Sequence, residues 1–260
     1  MMYGDNDMKH DSTPDAVGGV ATTTSRVIGV VAIVTMSWVL VSGLFLTPAD
    51  VNQGDAVRIM YVHVPTAWIA YMAFVVTGVA SLAWLVRKKP SLALDRVAGA
   101  SAEVGVLFMA MTLISGSLWG RLTWGTYWVW DPRLTTTSFL FVTYLGYLAV
   151  RGLGGSPQQR AQRSAVIAAL AVLEIPLVHF SVVLWRSLHQ SASVLRPDGD
   201  VKMDGLMLFT LFSGVLAFTF TFLWLVIHRQ RLLLMRDVVG EKGLEAAIRE
   251  RRNDHDGVVV

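Results

Sequence analysis

Six long apolar stretches separated by short polar segments dominate the pattern of hydrophobic positions along the 260-residue chain. A helix needs about 20 apolar residues to cross roughly 30 Å of hydrocarbon, and each stretch approaches that length. The pattern predicts an all-α membrane protein, a six-transmembrane helix bundle with spans at residues 27–46, 65–86, 103–118, 135–150, 164–184 and 206–228. The third and fourth spans are the shortest, and they flank a tryptophan-rich segment at residues 119–135.

Composition and charge distribution agree with a membrane location. Hydrophobic residues make up 53% of the chain and charged residues only 16%. Lys and Arg near span ends are retained in the cytoplasm, and 16 of the 22 Lys and Arg fall on one side of the predicted bundle. We therefore expect a cytoplasmic segment at residues 1–26, a membrane domain at 27–228 and a cytoplasmic tail at 229–260. The excess of Lys and Arg on the cytoplasmic side accounts for the net charge of +3 of the chain, so no nucleic-acid partner is expected.

The segment between the third and fourth spans concentrates aromatic rings beside charged groups. Four of the nine tryptophans lie within residues 119–130, whereas simple anchoring at the headgroup level would scatter them among helix ends. A periplasmic amphipathic helix lying in the interface would align one face at i, i+3, i+4 and i+7, formed by Trp124, Tyr127, Trp128 and Asp131. Such a platform suits a flat, mostly apolar, anionic ligand, and haem is the obvious candidate.

Two histidines are expected at the same outer depth on different helices. His63 precedes Pro65, which suits the first turn of the second span, and His189 follows the fifth span. Neutral imidazole is a strong axial ligand for haem iron, so the pair could clamp the metal from opposite faces. The alternative for each histidine alone is hydration or capping of a helix end. Because the chain has no cysteine, a thioether bond to haem is excluded.

Charged outer residues offer contacts for the two haem propionates. Buried anions require matched donors, and the nearest outer candidates are Arg58, Arg121 and Arg133. Ordinary contact with lipid headgroups is the alternative for each arginine. We expect Asp131 to orient Arg133 or to accept an imidazole N–H.

Two further polar residues fall inside the fifth predicted span. Ionisable groups at such depth are functional candidates by default. For His179 we favour a hydrogen-bonded packing role over a proton relay or iron ligation, and Glu174 is left without a role. The chain has no G-x-x-x-x-G-K-[ST] motif, so ATP hydrolysis by this subunit is not expected and we do not predict an enzyme.

A family resemblance rests on the aromatic segment and the two histidines. Residues 124–135 read Trp-Gly-x-x-Trp-x-Trp-Asp-x-Arg-Leu-Thr, which resembles the "WWD" signature of haem-handling proteins in cytochrome c maturation. The predicted six spans, Tyr-Val-His-Val-Pro at 61–65 and Ser-Leu-His-Gln at 187–190 are similar to the haem exporter protein C (CcmC) family. The match departs from the family at Tyr127, where Trp is frequent, and at Pro132, Val183 and Leu184.

The resemblance implies a site, a cargo and partners. It makes His63 and His189 the axial ligands of a transiently and non-covalently bound haem b on the periplasmic side of a bacterial inner membrane. The platform, which would also dock the chaperone, would comprise Trp119, Trp124, Tyr127, Trp128, Trp130 and Asp131. The implied partners are a CcmE-like periplasmic haem chaperone, CcmA-like and CcmB-like ABC subunits, and a small CcmD-like membrane subunit. Arg58, Pro65, Asp131 and Arg133 also match family positions.

Two other classes of protein stay open on the residues alone. The first is a b-type cytochrome subunit of a quinol oxidoreductase, which requires His pairs that face each other within the membrane. A small-molecule transporter with an aromatic gate predicts binding without iron ligation. The absorption spectrum of the purified protein distinguishes the three hypotheses.

Overall fold

The computed structural model describes residues 21–189 and 203–256. In this part of the chain all regular elements are helices, joined by short loops, and there is no β-strand. The helices are α1 (Thr23–Val41), α2 (Met60–Val86), α3 (Leu92–Trp124), α4 (Pro132–Arg151), α5 (Pro157–Ala171), α6 (Glu174–Leu184) and α7 (Gly205–Asp256). A π-helical turn at Ser42–Leu46 extends α1, and a 3₁₀ turn at Asp55–Ile59 leads into α2. The all-α prediction is confirmed. Residues 1–20 of the predicted N-terminal segment lie outside the described residues.

Five helical segments in the described part are long and apolar enough to cross a bilayer: Thr23–Leu46, Asp55–Val86, Leu92–Trp124, Pro157–Leu184 and Gly205–Arg251. They make the chain an integral membrane protein. The predicted fourth span corresponds to α4, whose 20 residues would reach about 30 Å at 1.5 Å per residue. Three consecutive threonines at 135–137 and an arginine near each end lower its hydropathy. The count of six spans therefore stays a prediction.

The fifth predicted span is two helices rather than one. α5 ends at Ala171 and α6 begins at Glu174, with Pro176 as the third residue of α6. A proline ring clashes with the carbonyl four residues earlier, here that of Val172, and lacks the N–H that would bond to it, so it kinks or breaks a helix unless it lies in the first turn. Pro176 thus accounts for the break, and the two helices together form the candidate span Pro157–Leu184.

The start of α2 differs from the prediction. The 3₁₀ turn at Asp55–Ile59 passes directly into α2 at Met60, so Pro65 lies inside the helix instead of in its first turn. The expectation of a helix start at Pro65 is wrong, because apolar character marks the lipid-facing part of a helix and not its end. His63 consequently sits on helical backbone.

Helices α2 and α3 form the centre of the bundle. The ring of Phe74 on α2 stacks on Tyr144 of α4 at 3.6 Å between centroids. The Ser101 hydroxyl donates to the carbonyl of Ala73 at 2.7 Å, and the Tyr144 hydroxyl donates to that of Phe74 at 3.2 Å. In a membrane, such bonds satisfy polar groups that lipid cannot.

One end of the bundle, the charged end, is joined by ion pairs. Asp95 near the start of α3 is bonded by the Arg151 guanidinium at the end of α4, with Nη2 2.8 Å from Oδ2. Arg160 of α5 donates to Asp95 at 3.1 Å and to Asp237 of α7 at 3.1 Å. Four helices are therefore connected here. The opposite end, where α3 stops at Trp124, is called the aromatic end below.

Candidate functional site

Three segments meet at the aromatic end: the chain between α1 and α2, the chain between α3 and α4, and the residues after α6. Gln53 of the first segment accepts a hydrogen bond at 2.8 Å from the indole N–H of Trp119, which lies near the end of α3. Ser187 of the third segment donates to Asp131 of the second at 2.9 Å. The residues predicted for the site lie in these segments or in the adjoining turns of α2, α3 and α4.

His63 lies against α3 near the start of α2. Its Nδ1 is 3.1 Å from Ser115 Oγ, and its half-buried ring meets Trp119 edge to face at 5.6 Å between centroids. A Cβ atom built on Gly116 would lie 2.8 Å from His63 Cε1. The imidazole thus occupies space that any other residue at position 116 would take.

His189 lies beside the last residue of α3. Its half-buried ring is 6.5 Å from that of Trp124, at an interplanar angle of 69°, and its backbone N–H donates to Ser187 Oγ at 3.0 Å. The contacts at Trp119 and Trp124 are about 7.5 Å apart along the α3 axis at 1.5 Å per residue, so the two imidazoles flank the same short stretch of helix.

Asp131 connects α4 to the segment that carries His189. This residue is only 5% exposed. Its Oδ1 accepts from the backbone N–H of Arg133 at 2.9 Å, as an N-cap does, and from Ser187 Oγ at 2.9 Å, while Oδ2 accepts from the N–H of Leu188 at 2.6 Å. The carboxylate therefore fixes the His189 segment in place and bonds the backbone of Arg133, not its guanidinium.

The predicted helical register of the aromatic segment is wrong. α3 ends at Trp124, Gly125 adopts a left-handed conformation with φ of 79°, and the chain is non-helical until Asp131. A left-handed residue of this kind terminates helices, and glycine adopts it without strain. Trp124, Tyr127, Trp128 and Asp131 consequently do not share a helix face.

The aromatic segment is instead a loop held by hydroxyl bonds. Ser117 donates to the carbonyl of Tyr127 at 2.7 Å, and Thr126 donates to that of Trp128 at 3.1 Å. The Trp128 and Trp130 rings meet edge to face at 5.8 Å. Trp130 is 81% exposed, so the loop presents an indole outward.

The three arginines predicted to contact propionates all have protein partners. Arg58 donates to the Gly43 carbonyl at 2.8 Å and to Asp55 at 2.9 Å. The Arg121 guanidinium donates to the Gly125 carbonyl and lies 5.7 Å from the centre of the Tyr127 ring. Arg133 donates through Nη2 to the carbonyl of His179 at 2.8 Å, whereas its buried Nε has no hydrogen-bond partner among the described residues. Arg58 and Arg121 therefore close the ends of helices.

A cavity of about 330 Å³ opens beside the aromatic loop, lined by residues 129–132 and 186–188. Neither imidazole lines this cavity, so it is not by itself a porphyrin slot. Its basic lining residue is Arg186, whose side chain has no ion pair in the described part of the chain. The prediction from sequence did not select Arg186. Its position three residues before His189 is a sequence signal that could have selected it.

The two polar residues of the fifth span lie on α6. The hydroxyl of Thr143 donates to both carboxylate oxygens of Glu174, at 3.0 and 3.3 Å. A second cavity, of about 270 Å³, adjoins Glu174 between α4 and α6. The His179 ring packs edge to face on Phe180 at 5.0 Å. The His179 side chain is exposed, so its hydrogen-bonded packing role stays a prediction.

The fold and the site define a class: an integral membrane bundle that gathers two histidines and several indoles at one end. A family model described as heme exporter protein C matches residues 8–244, and the chain belongs to that family (CcmC). Heme exporter protein C of Bradyrhizobium diazoefficiens is 40% identical over 216 residues, 82% of this chain and 81% of that protein. Heme exporter protein C of Escherichia coli K12 is 33% identical over 211 residues, 80% and 82% of the two chains. A putative cytochrome c biosynthesis ccmC-like mitochondrial protein of Arabidopsis thaliana is 33% identical over 215 residues, 83% and 78%.

Proposed function

We propose that the protein binds haem at the periplasmic surface of the bacterial inner membrane and passes it to a haem chaperone during cytochrome c maturation. The observation that carries this proposal is the placement of His63 and His189, from separate segments, against Trp119 and Trp124 at one end of α3. The family relationship supports haem as the cargo. The protein acts as a binding and transfer subunit and not as an enzyme.

In this proposal the two imidazoles are the axial ligands of one haem b. Neutral imidazole binds haem iron through a ring nitrogen lone pair. The positions of the two rings against Trp119 and Trp124, at one end of α3, support this assignment. The chain has no cysteine, so no thioether bond holds the haem. We propose that the haem is bound non-covalently, because it must be released to the chaperone.

The aromatic loop completes the binding surface. The edges of Trp119 and Trp124 already contact the histidines, and Trp128 and Trp130 extend the apolar surface outward. Rings of this size gain from stacking on a flat aromatic ligand. The exposed indole of Trp130 is also the contact that we propose for the docking chaperone.

The propionates are proposed to meet Arg133 and Arg186. The buried Nε of Arg133 has no hydrogen-bond partner among residues 21–189 and 203–256, and Arg186 lines the 330 Å³ cavity beside Trp130. Charge-assisted bonds from guanidinium to carboxylate are short and directional. Arg58 and Arg121 each donate one hydrogen bond to a carbonyl group of the fold, and their remaining N–H groups keep both residues candidates for the same contact.

The membrane orientation follows from charge. With most Lys and Arg on one side, the charged end faces the cytoplasm together with both termini, and the aromatic end faces the periplasm. We propose that α4 is the sixth spanning helix, since it packs against α3, α5 and α6 and its buried Tyr144 hydroxyl donates to the carbonyl of Phe74 on α2. Partner CcmA-like and CcmB-like subunits would supply ATP hydrolysis, beside a CcmD-like subunit and a CcmE-like chaperone.

Haem titration of the purified protein tests the proposal. His63→Ala and His189→Ala are each expected to abolish the low-spin bis-histidine absorption spectrum, because one axial position loses its nitrogen. His179→Ala is the matched control, since its ring contacts Phe180 at a different place, and it should bind haem as the wild type does. A spectrum that survives both single variants and disappears in the control would contradict the assignment and favour an intramembrane haem.

A further inference from the structure

The environment of His63 specifies which ring nitrogen carries the proton. Ser115 Oγ is 2.7 Å from the carbonyl of Met111 and 3.2 Å from that of Thr112. A serine hydroxyl has one hydrogen and two acceptor lone pairs, and back-bonding to the carbonyl four residues earlier is its usual arrangement inside a helix. The hydrogen of Ser115 is therefore committed to its own helix, and only lone pairs face His63.

The consequence for the imidazole is a fixed tautomer. Since Ser115 offers an acceptor at 3.1 Å from Nδ1, Nδ1 carries the hydrogen and donates it, and Nε2 keeps its lone pair. Nε2 is then the ring nitrogen that can bind a metal. A histidine that binds metal through Nε2 needs this tautomer, which an acceptor at Nδ1 selects.

The position of the ring is also fixed on two sides. Gly116 brings the α3 backbone close enough that a Cβ atom there would meet Cε1 at 2.8 Å. The Trp119 ring lies edge to face at 5.6 Å. Ser115, Gly116 and Trp119 follow one another within five residues of one helix, so a single rigid element sets the orientation of the ring.

We propose that Ser115 is a positioning residue that holds His63 in the Nδ1–H tautomer, which leaves the Nε2 lone pair for a ligand, and that Gly116 provides the space for the ring beside α3. The inference rests on the proposed function for its purpose, namely an imidazole ready to bind iron. Its structural content, the tautomer, is a property of the haem-free protein.

Nitrogen-15 NMR of histidine-labelled, haem-free protein reads the tautomer directly. The His63 resonances, assigned by their loss in His63→Ala, are expected to show a protonated Nδ1 in the wild type. In Ser115→Ala they should move toward the Nε2–H form that prevails in water. Ser138→Ala removes a hydroxyl that also bonds the carbonyl four residues earlier, at 3.0 Å, without touching a histidine, and should leave the resonances unchanged. A wild-type His63 protonated at Nε2 would overturn the inference.

Haem titration supplies the second readout. Loss of a group that orients a metal ligand costs about 10- to 100-fold in affinity, and we expect Ser115→Ala to weaken haem binding by that factor while Ser115→Thr, which keeps the hydroxyl, restores most of it. If His63→Ala leaves haem binding intact, the proposed function fails. If His63→Ala abolishes the spectrum but Ser115→Ala binds haem like the wild type, only the positioning role is wrong.

Discussion

Replacing Asp131 by asparagine isolates the bond that secures the His189 segment. The amide keeps one oxygen for the Arg133 N–H and Ser187 Oγ, but its NH₂ group faces the Leu188 N–H where Oδ2 accepts at 2.6 Å. A hydrogen bond to a charged group contributes about 1.5–3 kcal/mol, and a buried donor left unpaired costs a similar amount. Asp131 is 5% exposed, so water offers little compensation.

The expected effect on haem affinity follows from that free energy. If about 2 kcal/mol of this hydrogen-bond free energy is needed to hold His189 in its binding position, its loss weakens haem binding roughly 30-fold. Absorption titration of Asp131→Asn in detergent micelles measures this. Asp237→Asn is the control, because that carboxylate pairs with Arg96 and Arg160 at the charged end, at the opposite end of the bundle from the proposed site. Wild-type affinity with an unaltered low-spin spectrum in Asp131→Asn would refute the claim that this carboxylate positions the ligand.

Two further predictions concern opposite ends of the bundle. Arg186→Ala should weaken binding of haem up to about fivefold, the scale of an exposed ion pair, and should not change binding of haem dimethyl ester, which lacks the propionate charge; an equal loss for both ligands would rule out a propionate contact. Asp95→Asn breaks a buried ion pair with Arg151 and should destabilise the fold by about 3–5 kcal/mol, seen as a lower apparent unfolding temperature with an unchanged haem spectrum. A spectrum altered by Asp95→Asn would show that the charged end shapes the site.

The hydrophobic pattern predicts which parts of the chain are helical better than it predicts where helices end. Apolar stretches report contact with lipid, whereas helix ends are set by caps such as Ser91 and Asp131 and by Gly125. Pro176 is a local sequence signal for the break between α5 and α6. The prediction of one span at residues 164–184 rested on hydropathy and did not use this signal. The fourth span shows the same limit, since polar residues paired inside a bundle lower the hydropathy of α4.

The residue types of the candidate site could be selected from the sequence, whereas the contacts of these residues could not. His63, His189 and the tryptophans could be selected because each stands out locally and all fall on one predicted side. The helical register of the aromatic segment failed at Gly125, a terminator visible in the sequence. The bond from Asp131 to Leu188 joins residues 57 positions apart, and Arg58 bonds the carbonyl of Gly43, 15 positions earlier. No local pattern encodes such contacts.

Electron paramagnetic resonance of the ferric haem complex tests the central claim most directly, because the signal reports the number of strong axial ligands on the iron. The wild type should give a low-spin signal from two imidazoles. His63→Ala and His189→Ala should each give a high-spin signal, and added imidazole should restore the low-spin form. A low-spin signal unchanged in both variants would contradict the account.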